Sequence, residues 1–194
     1  MARAGLSRDA VVDLAVRLID EAPGSADRLT LAAVAAEAGV AVPSLYKHIT
    51  SLADLRRAVA LVALRELVRR SAAATVGRSG PDALRALGTA IRAYAREHPG
   101  LYSAAQVSPE ADDPASAELA AAALDAVELV AAVLRGFALP ETRLVDAVRV
   151  VRSAVHGFVL LERAHGFGMP EDVDRSFDAL LTVLVDGVAA LARS

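Results

Sequence analysis

The segment Thr30-Leu31-Ala32-Ala33-Val34-Ala35-Ala36-Glu37-Ala38-Gly39-Val40-Ala41-Val42-Pro43-Ser44-Leu45-Tyr46-Lys47-His48-Ile49 reads as two short helices on a tight turn. Thr30 is placed to cap the first helix, which runs from Leu31 to Ala38. Gly39 follows, where only glycine enters the left-handed region cheaply. Pro43 suits the first turn of the second helix, which ends near His48. Together they make a helix-turn-helix. Val34, Ala38, Val40, Leu45 and Ile49 are the expected buried set, with the small Ala35 where the helices cross. Leu45 and Ile49 are four apart and share the inner face; Pro43, Tyr46 and Lys47 share the outer one.

That outer face carries a tyrosine, the only lysine of the chain, a serine and a histidine, a set that suits the major groove of DNA. Lys47 can reach phosphate or guanine, and Tyr46 can donate to phosphate or lie on a thymine methyl. Ser44 can bond a base edge or a phosphate, while Val42 and Pro43 give apolar contacts. Thr30 stands at a helix N-terminus, where backbone N–H groups and the dipole favour a phosphate. His48 has two readings, a DNA contact or a cap on the last carbonyls of its helix. The candidate DNA-binding residues are therefore Thr30, Val42, Pro43, Ser44, Tyr46, Lys47 and His48.

Alanine and leucine dominate the rest, with glycine and proline as punctuation, so an all-α protein is expected. The first helix runs from Ser7 to Glu21, with Val11, Leu14, Ala15, Leu18 and Ile19 on one face, and stops at Pro23-Gly24-Ser25. A long helix starts at Ser51 and fades by Val76; Asp82–Glu97 follows, broken at His98-Pro99-Gly100. A short helical turn holds Leu101, Tyr102 and Ala105, and an acidic loop follows from Val107 to Pro114. Further helices are expected at Ala115–Leu134, closed by Gly136, at Pro140–Ala164, and from Pro170 to near Arg193. No pattern alternates with period two, so no sheet is expected.

The 194 residues, 55% hydrophobic and 23% charged, suit one or two small domains with a core, not a disordered tail. The absence of cysteine excludes disulfides, thiolate zinc sites and a cysteine nucleophile. No apolar run is long enough to span a membrane, and the N-terminus lacks a signal peptide's apolar core, so a cytoplasmic protein is expected. The net charge of −3 hides a split: residues 1–96 hold 14 basic and 9 acidic side chains, residues 97–194 hold 7 and 15. The excess of +5 in the first half does not lie in the helix-turn-helix. Up to Leu55 the count is 5 basic against 7 acidic. Bulk charge therefore does not mark the DNA-facing part.

The N-terminal motif resembles that of the TetR family of transcriptional regulators over about 50 residues. Ala35, Ala38-Gly39-Val40, Leu45-Tyr46-Lys47-His48 and Leu55 match the family pattern. Ile49 stands where phenylalanine is usual, and Leu52 where the family often places a phosphate-binding lysine. A second stretch resembles the TetR C-terminal domains named for a Trp-His-Gly motif. It runs through Arg152, His156-Gly157-Phe158, Leu161-Glu162, Gly166-Phe167-Gly168 and Ser176-Phe177, with Val155 in place of the tryptophan. The resemblance implies a helix-turn-helix domain over residues 1–56 and a helical ligand-binding and dimerisation domain over 57–194. It also implies a ligand-responsive repressor, released from a palindromic DNA operator by a small-molecule inducer; the residues themselves lead to the expectation of no cofactor, no metal and no membrane partner.

For the second half, the resemblance implies a homodimer, and apolar stripes on the last two helices are compatible with one formed through them. The stripes are Leu144, Val148, Val151, Val155 and Phe158, then Val173, Phe177, Leu180 or Leu181, Leu184, Val188 and Leu191. The alternative is that both stripes pack within one chain. Ligand-pocket candidates are the polar or aromatic residues inside apolar helices: Tyr94, His98, Tyr102, Phe137, Arg152 and His156. His156 precedes Gly157, which leaves space beside it; the plainer reading is a core histidine bonded to a carbonyl. The competing class is a small helical enzyme or an adaptor that keeps a DNA-binding-like head. Its support is thin: one Glu162-x-x-His165 where a di-iron bundle needs two copies, no nucleophile elbow, and no phosphate loop.

Overall fold

Capping side chains and glycine turns set where each helix begins and ends. The computed structural model describes residues 6–21 and 29–193, so the expected stop at Pro23-Gly24-Ser25 lies outside the described residues. The helices are α1 (Arg8–Glu21), α2 (Leu31–Ala38), α3 (Val42–Leu45), α4 (Leu52–Thr75), α5 (Gly80–Glu97), α6 (Pro99–Ala104), α7 (Ala117–Arg135), α8 (Glu141–Arg163) and α9 (Val173–Leu191). No strand occurs among the described residues. Ser7 caps α1 by accepting the Ala10 N–H at 3.1 Å, as Thr30 caps α2 through Ala33 at 3.1 Å.

Several boundaries differ from the sequence expectation: α3 ends at Leu45 instead of near His48, and α5 starts at Gly80 instead of Asp82. α7 starts later because Pro114–Ser116 forms a 3-10 turn capped by Asp113. α9 starts at Val173 instead of Pro170, because the Asp172 carboxylate accepts the Asp174 N–H at 2.8 Å. After α7 the left-handed residue is Ala138, at φ +56°, not Gly136. Gly136 is needed for closeness: a Cβ there would stand 2.6 Å from the Gly80 backbone nitrogen.

The chain forms two compact units. The first contains the described residues up to Glu66 together with His98–Ala123. Its core joins Val11, Ala15 and Ile19 of α1 to Val34, Leu45, Ile49, Leu55 and Val59. α6 lies on the end of α1, where a Cβ on Gly100 would meet the Ile19 carbonyl oxygen at 2.3 Å. His98, the N-cap of α6, places Nδ1 2.8 Å from an Asp20 carboxylate oxygen.

The second unit contains Leu67–Glu97 and the chain from Leu124 onward. Its core takes Leu84 and Leu87 from α5, Val130 and Leu134 from α7, and the inner faces of α8 and α9. The stripes expected to meet a partner chain are in this core. Leu144, Val148, Val151, Val155, Phe177, Leu181, Leu184 and Val188 are buried, and Phe158, Leu180 and Leu191 pack partly buried against them. The two-helix stripe pattern arose because α8 and α9 pack on α5 and α7 of the same chain.

Arg92 of α5 ties this unit together. Its guanidinium lies 5.5 Å from the Phe158 ring centroid and 4.6 Å from that of Phe177. It donates two hydrogen bonds to Glu162, at 2.9 and 2.5 Å, and one to Asp174 at 2.7 Å. Arg96, one turn further on, also reaches Asp174. Phe167 closes the cluster, 4.7 Å from Phe158. The Phe, Glu, Gly-Phe-Gly and Ser-Phe elements of the second sequence resemblance thus supply the walls and counter-charges of one buried cation. Removing the cation alone leaves Glu162 without its partner. Arg92→Ala is expected to cost roughly 3–5 kcal/mol, read as a lowered urea midpoint. Arg92→Met with Glu162→Leu is expected to recover most of that loss.

Candidate nucleic-acid interface

The helix-turn-helix depends on one left-handed residue. Gly39 sits at φ +64°, its N–H donating to the Ala36 carbonyl at 3.1 Å, while Val40 N–H reaches back to Ala35 at 3.0 Å. The reversal places α3 across α2, with Leu45 and Ile49 fully buried beneath it. α3 is short: four residues are helical, and Tyr46 to His48 continue as a turn that His48 N–H closes on Leu45 at 2.8 Å. Pro43, Tyr46 and Lys47 are all exposed, Tyr46 by 55%. Val42, Ser44 and His48 are half-buried at the flanks. Thr30 is exposed; its Oγ1 accepts the Ala33 N–H, which leaves the hydroxyl hydrogen to donate.

An ion pair holds this surface from behind. Arg8, the first residue of α1, meets Asp54 on α4 through two hydrogen bonds, at 2.9 and 2.6 Å. The same guanidinium donates to the His48 carbonyl at 3.2 Å. Asp54 also accepts the Thr50 N–H at 2.8 Å, and its own N–H donates to Ser51 Oγ at 3.0 Å. Arg8 and Asp54 were not among the residues singled out from sequence. The available signal was Ser51-Leu52-Ala53-Asp54, the spacing of a capping box at a helix start.

The ligand candidates fall in both units. Tyr94, Phe137, Arg152 and His156 belong to the second unit, His98 and Tyr102 to the first. Tyr94 is buried, with the Arg70 guanidinium 5.3 Å over its ring, and Phe137 packs against the core. Arg152 is exposed on α8. His156 is half-buried, and burial, with Arg152 and Arg163 nearby, lowers its pKa below the ordinary histidine value. Beside it, the position of a Cβ on Gly157 is open, with no atom within 4 Å. Tyr102 is buried in the first unit, and His98 is committed to Asp20.

A glycine-turned helix pair, with an exposed tyrosine and lysine over a buried leucine and isoleucine, is the architecture of a DNA-reading head. Residues 84–184 match the domain family described as "Tetracyclin repressor-like, C-terminal domain". The chain is 38% identical over 188 residues to the uncharacterized HTH-type transcriptional regulator Rv0681 of Mycobacterium tuberculosis, covering 96% of this chain and 82% of that protein. Among solved structures it resembles BioQ crystallised with its double-stranded DNA operator: TM-score 0.63, 25% identity, 96% of this chain and 99% of that one. It also resembles a TetR protein of Acinetobacter baumannii in complex with minocycline: TM-score 0.68, 24% identity, 98% and 100% coverage. The chain belongs to the TetR family of helix-turn-helix transcriptional regulators. Among the described residues no helix is long and apolar enough to cross a membrane.

The Arg8 guanidinium, with the Thr50 N–H, holds the Asp54 carboxyl far below the usual carboxylate range, outweighing burial, which acts the other way. A carboxylate so depressed stabilises the fold at pH above its unfolded value, about 4, and that stabilisation is lost as pH falls through the folded value. The melting temperature is expected to fall on acidification below about pH 4. Asp54→Asn is expected to flatten that acid limb in a calorimetric pH series.

Proposed function

We propose that this protein is a dimeric repressor that reads a palindromic operator through Thr30, Val42, Pro43, Ser44, Tyr46, Lys47 and His48, and leaves it on binding a small molecule. Residues 1–56 then form the reading head, and 57–194 the ligand-binding and dimerisation body. The supporting observation is the pairing of exposed Tyr46 and Lys47 over buried Leu45 and Ile49. BioQ with its operator and the minocycline complex supply the precedent for both partners. An inducer that favours one head placement shifts the equilibrium by no more than its differential affinity. Tyr46→Ala and Lys47→Ala are expected to weaken binding to the DNA upstream of the protein's own gene without changing helix content. Loss of a Lys47 phosphate contact flattens the salt dependence of log K by ~0.9. Full binding by both variants, in a gel shift at several salt concentrations, removes α3 and the turn after it as the reading surface.

The partner surface is the outer face of α8 and α9. It exposes Val145, Val150, Leu160 and Leu161 on α8 and Val183 on α9. Gly157 and Gly187 have open space where a Cβ would stand, room for a partner helix to approach. A four-helix contact between two copies would cover this face. Val183→Asp is expected to convert the dimer to monomer in sedimentation velocity, with helix content unchanged.

Of the pocket candidates, Tyr94, Phe137, Arg152 and His156 lie in the second compact unit and support an inducer site there. His156→Ala is expected to shift the concentration of inducing compound needed to release DNA, with uninduced binding near normal; unchanged release with every active compound excludes it. The enzyme alternative loses its one motif, since Glu162 gives both carboxylate oxygens to Arg92. No cofactor, metal or membrane partner enters this reading, and no catalytic role is assigned.

A further inference from the structure

We infer that Arg8 and Asp54 are positioning residues for operator recognition: they set the recognition helix without touching DNA themselves. The inference rests on the regulator reading above and adds two residues to it.

The reading surface is four helical residues and one turn, too short to hold its own orientation. A single turn of helix is marginal alone, since nucleation fixes several residues for one hydrogen bond. Its front is set by Gly39 and its underside by Leu45 and Ile49. Its back end, from Tyr46 to Thr50, is non-helical; within itself it is held by the His48 and Ile49 N–H bonds to the Leu45 carbonyl, and to the core by the buried Ile49. The ion pair supplies the remaining ties. Arg8 donates to the carbonyl of His48, the residue after Lys47. Asp54 accepts from the backbone of Thr50, two residues further on. The arginine and aspartate also hold each other in a two-pronged geometry that lysine cannot reproduce. The Asp54 side chain is 12% exposed, so its charge is spent inside the head and not offered to a ligand. One planar pair thus clamps the start of α1, the start of α4 and the turn that carries Lys47.

The sign of the effect separates this role from a simple charge effect. Asp54→Asn makes the head less acidic, and a purely electrostatic account expects tighter DNA binding. A positioning role expects weaker binding. Arg8→Gln removes a positive charge, and a phosphate contact would lower the salt slope by ~0.9, whereas positioning leaves the slope unchanged.

The test measures binding of full-length Asp54→Asn, Arg8→Gln, Arg8→Lys and the double variant Arg8→Gln/Asp54→Asn. The probes are a duplex from upstream of the protein's own gene and a scrambled duplex of equal length, each at several salt concentrations. Amide spectra of the free proteins report residues 45–50. The expected result is at least a tenfold loss of preference for the native duplex in each single variant. Scrambled-duplex affinity and salt slope stay at wild-type values, and the double variant is no worse than the poorer single one. Amide shifts are expected at His48 and Thr50 without DNA, and Arg8→Lys is expected to restore only part of the preference. Tighter binding by Asp54→Asn, a reduced slope in Arg8→Gln, or wild-type preference in the single variants overturns the inference alone. A wild-type protein with no preference between the duplexes overturns the regulator reading as well. If Arg8→Gln fails to fold, Asp54→Asn, which keeps the size and one acceptor oxygen of the side chain, carries the same decision.

Discussion

A buried guanidinium governs the second unit. Taking Arg92 out of water is costly unless every donor and the positive charge find partners. Three helices are recruited to supply them: α5 brings the cation, α8 brings Glu162 and Phe158, α9 brings Asp174 and Phe177. Their relative angles and registers follow from that requirement as much as from the apolar contacts around them. A hydrophobic core tolerates small slides; a charge held at hydrogen-bond distance by two carboxylates does not. The outer faces of α8 and α9 inherit their geometry from this inner constraint.

The first unit solves the same problem at smaller scale. Arg8 and Asp54 join the beginnings of α1 and α4 around a turn too short to be self-supporting. Each unit therefore combines an apolar core with an arginine held at hydrogen-bond distance by a carboxylate distant in sequence. Arginine serves in both, consistent with its planar fork and permanent charge.

How much of this was legible in the sequence follows the range of the interactions. The helix-turn-helix was readable because its determinants are local: Thr30 caps three residues ahead, Gly39 takes an unusual φ, and Leu45 and Ile49 are one turn apart. Which apolar residues of α8 and α9 are buried within the chain was not readable. Leu144 and Val148 look the same in sequence whether they meet α5 of their own chain or a second copy. Only the packing showed that these stripes face inward and that Val150, Leu160 and Val183 remain outside. The two ion pairs were invisible for a related reason, being separated by 46 residues for Arg8 and Asp54 and 70 for Arg92 and Glu162. No periodicity links residues so far apart. The spread of the pocket candidates over both units has the same origin: an aromatic or polar residue within an apolar helix marks burial, not the place where it is buried.

The four helical residues of α3 and the turn from Tyr46 to His48 offer a short surface to DNA, enough to read about three base pairs. In the proposed role, a three-letter word recurs by chance about once in 64 positions, far too often to find one site among the competing ones of a genome. Lengthening α3 would enlarge the word, but Gly39 and the Arg8–Asp54 pair fix both of its ends. The remaining route is grammar instead of vocabulary: two copies of one short word at a fixed separation. Discrimination would then come from how rigidly two heads are spaced, a quantity encoded outside the helix that does the reading.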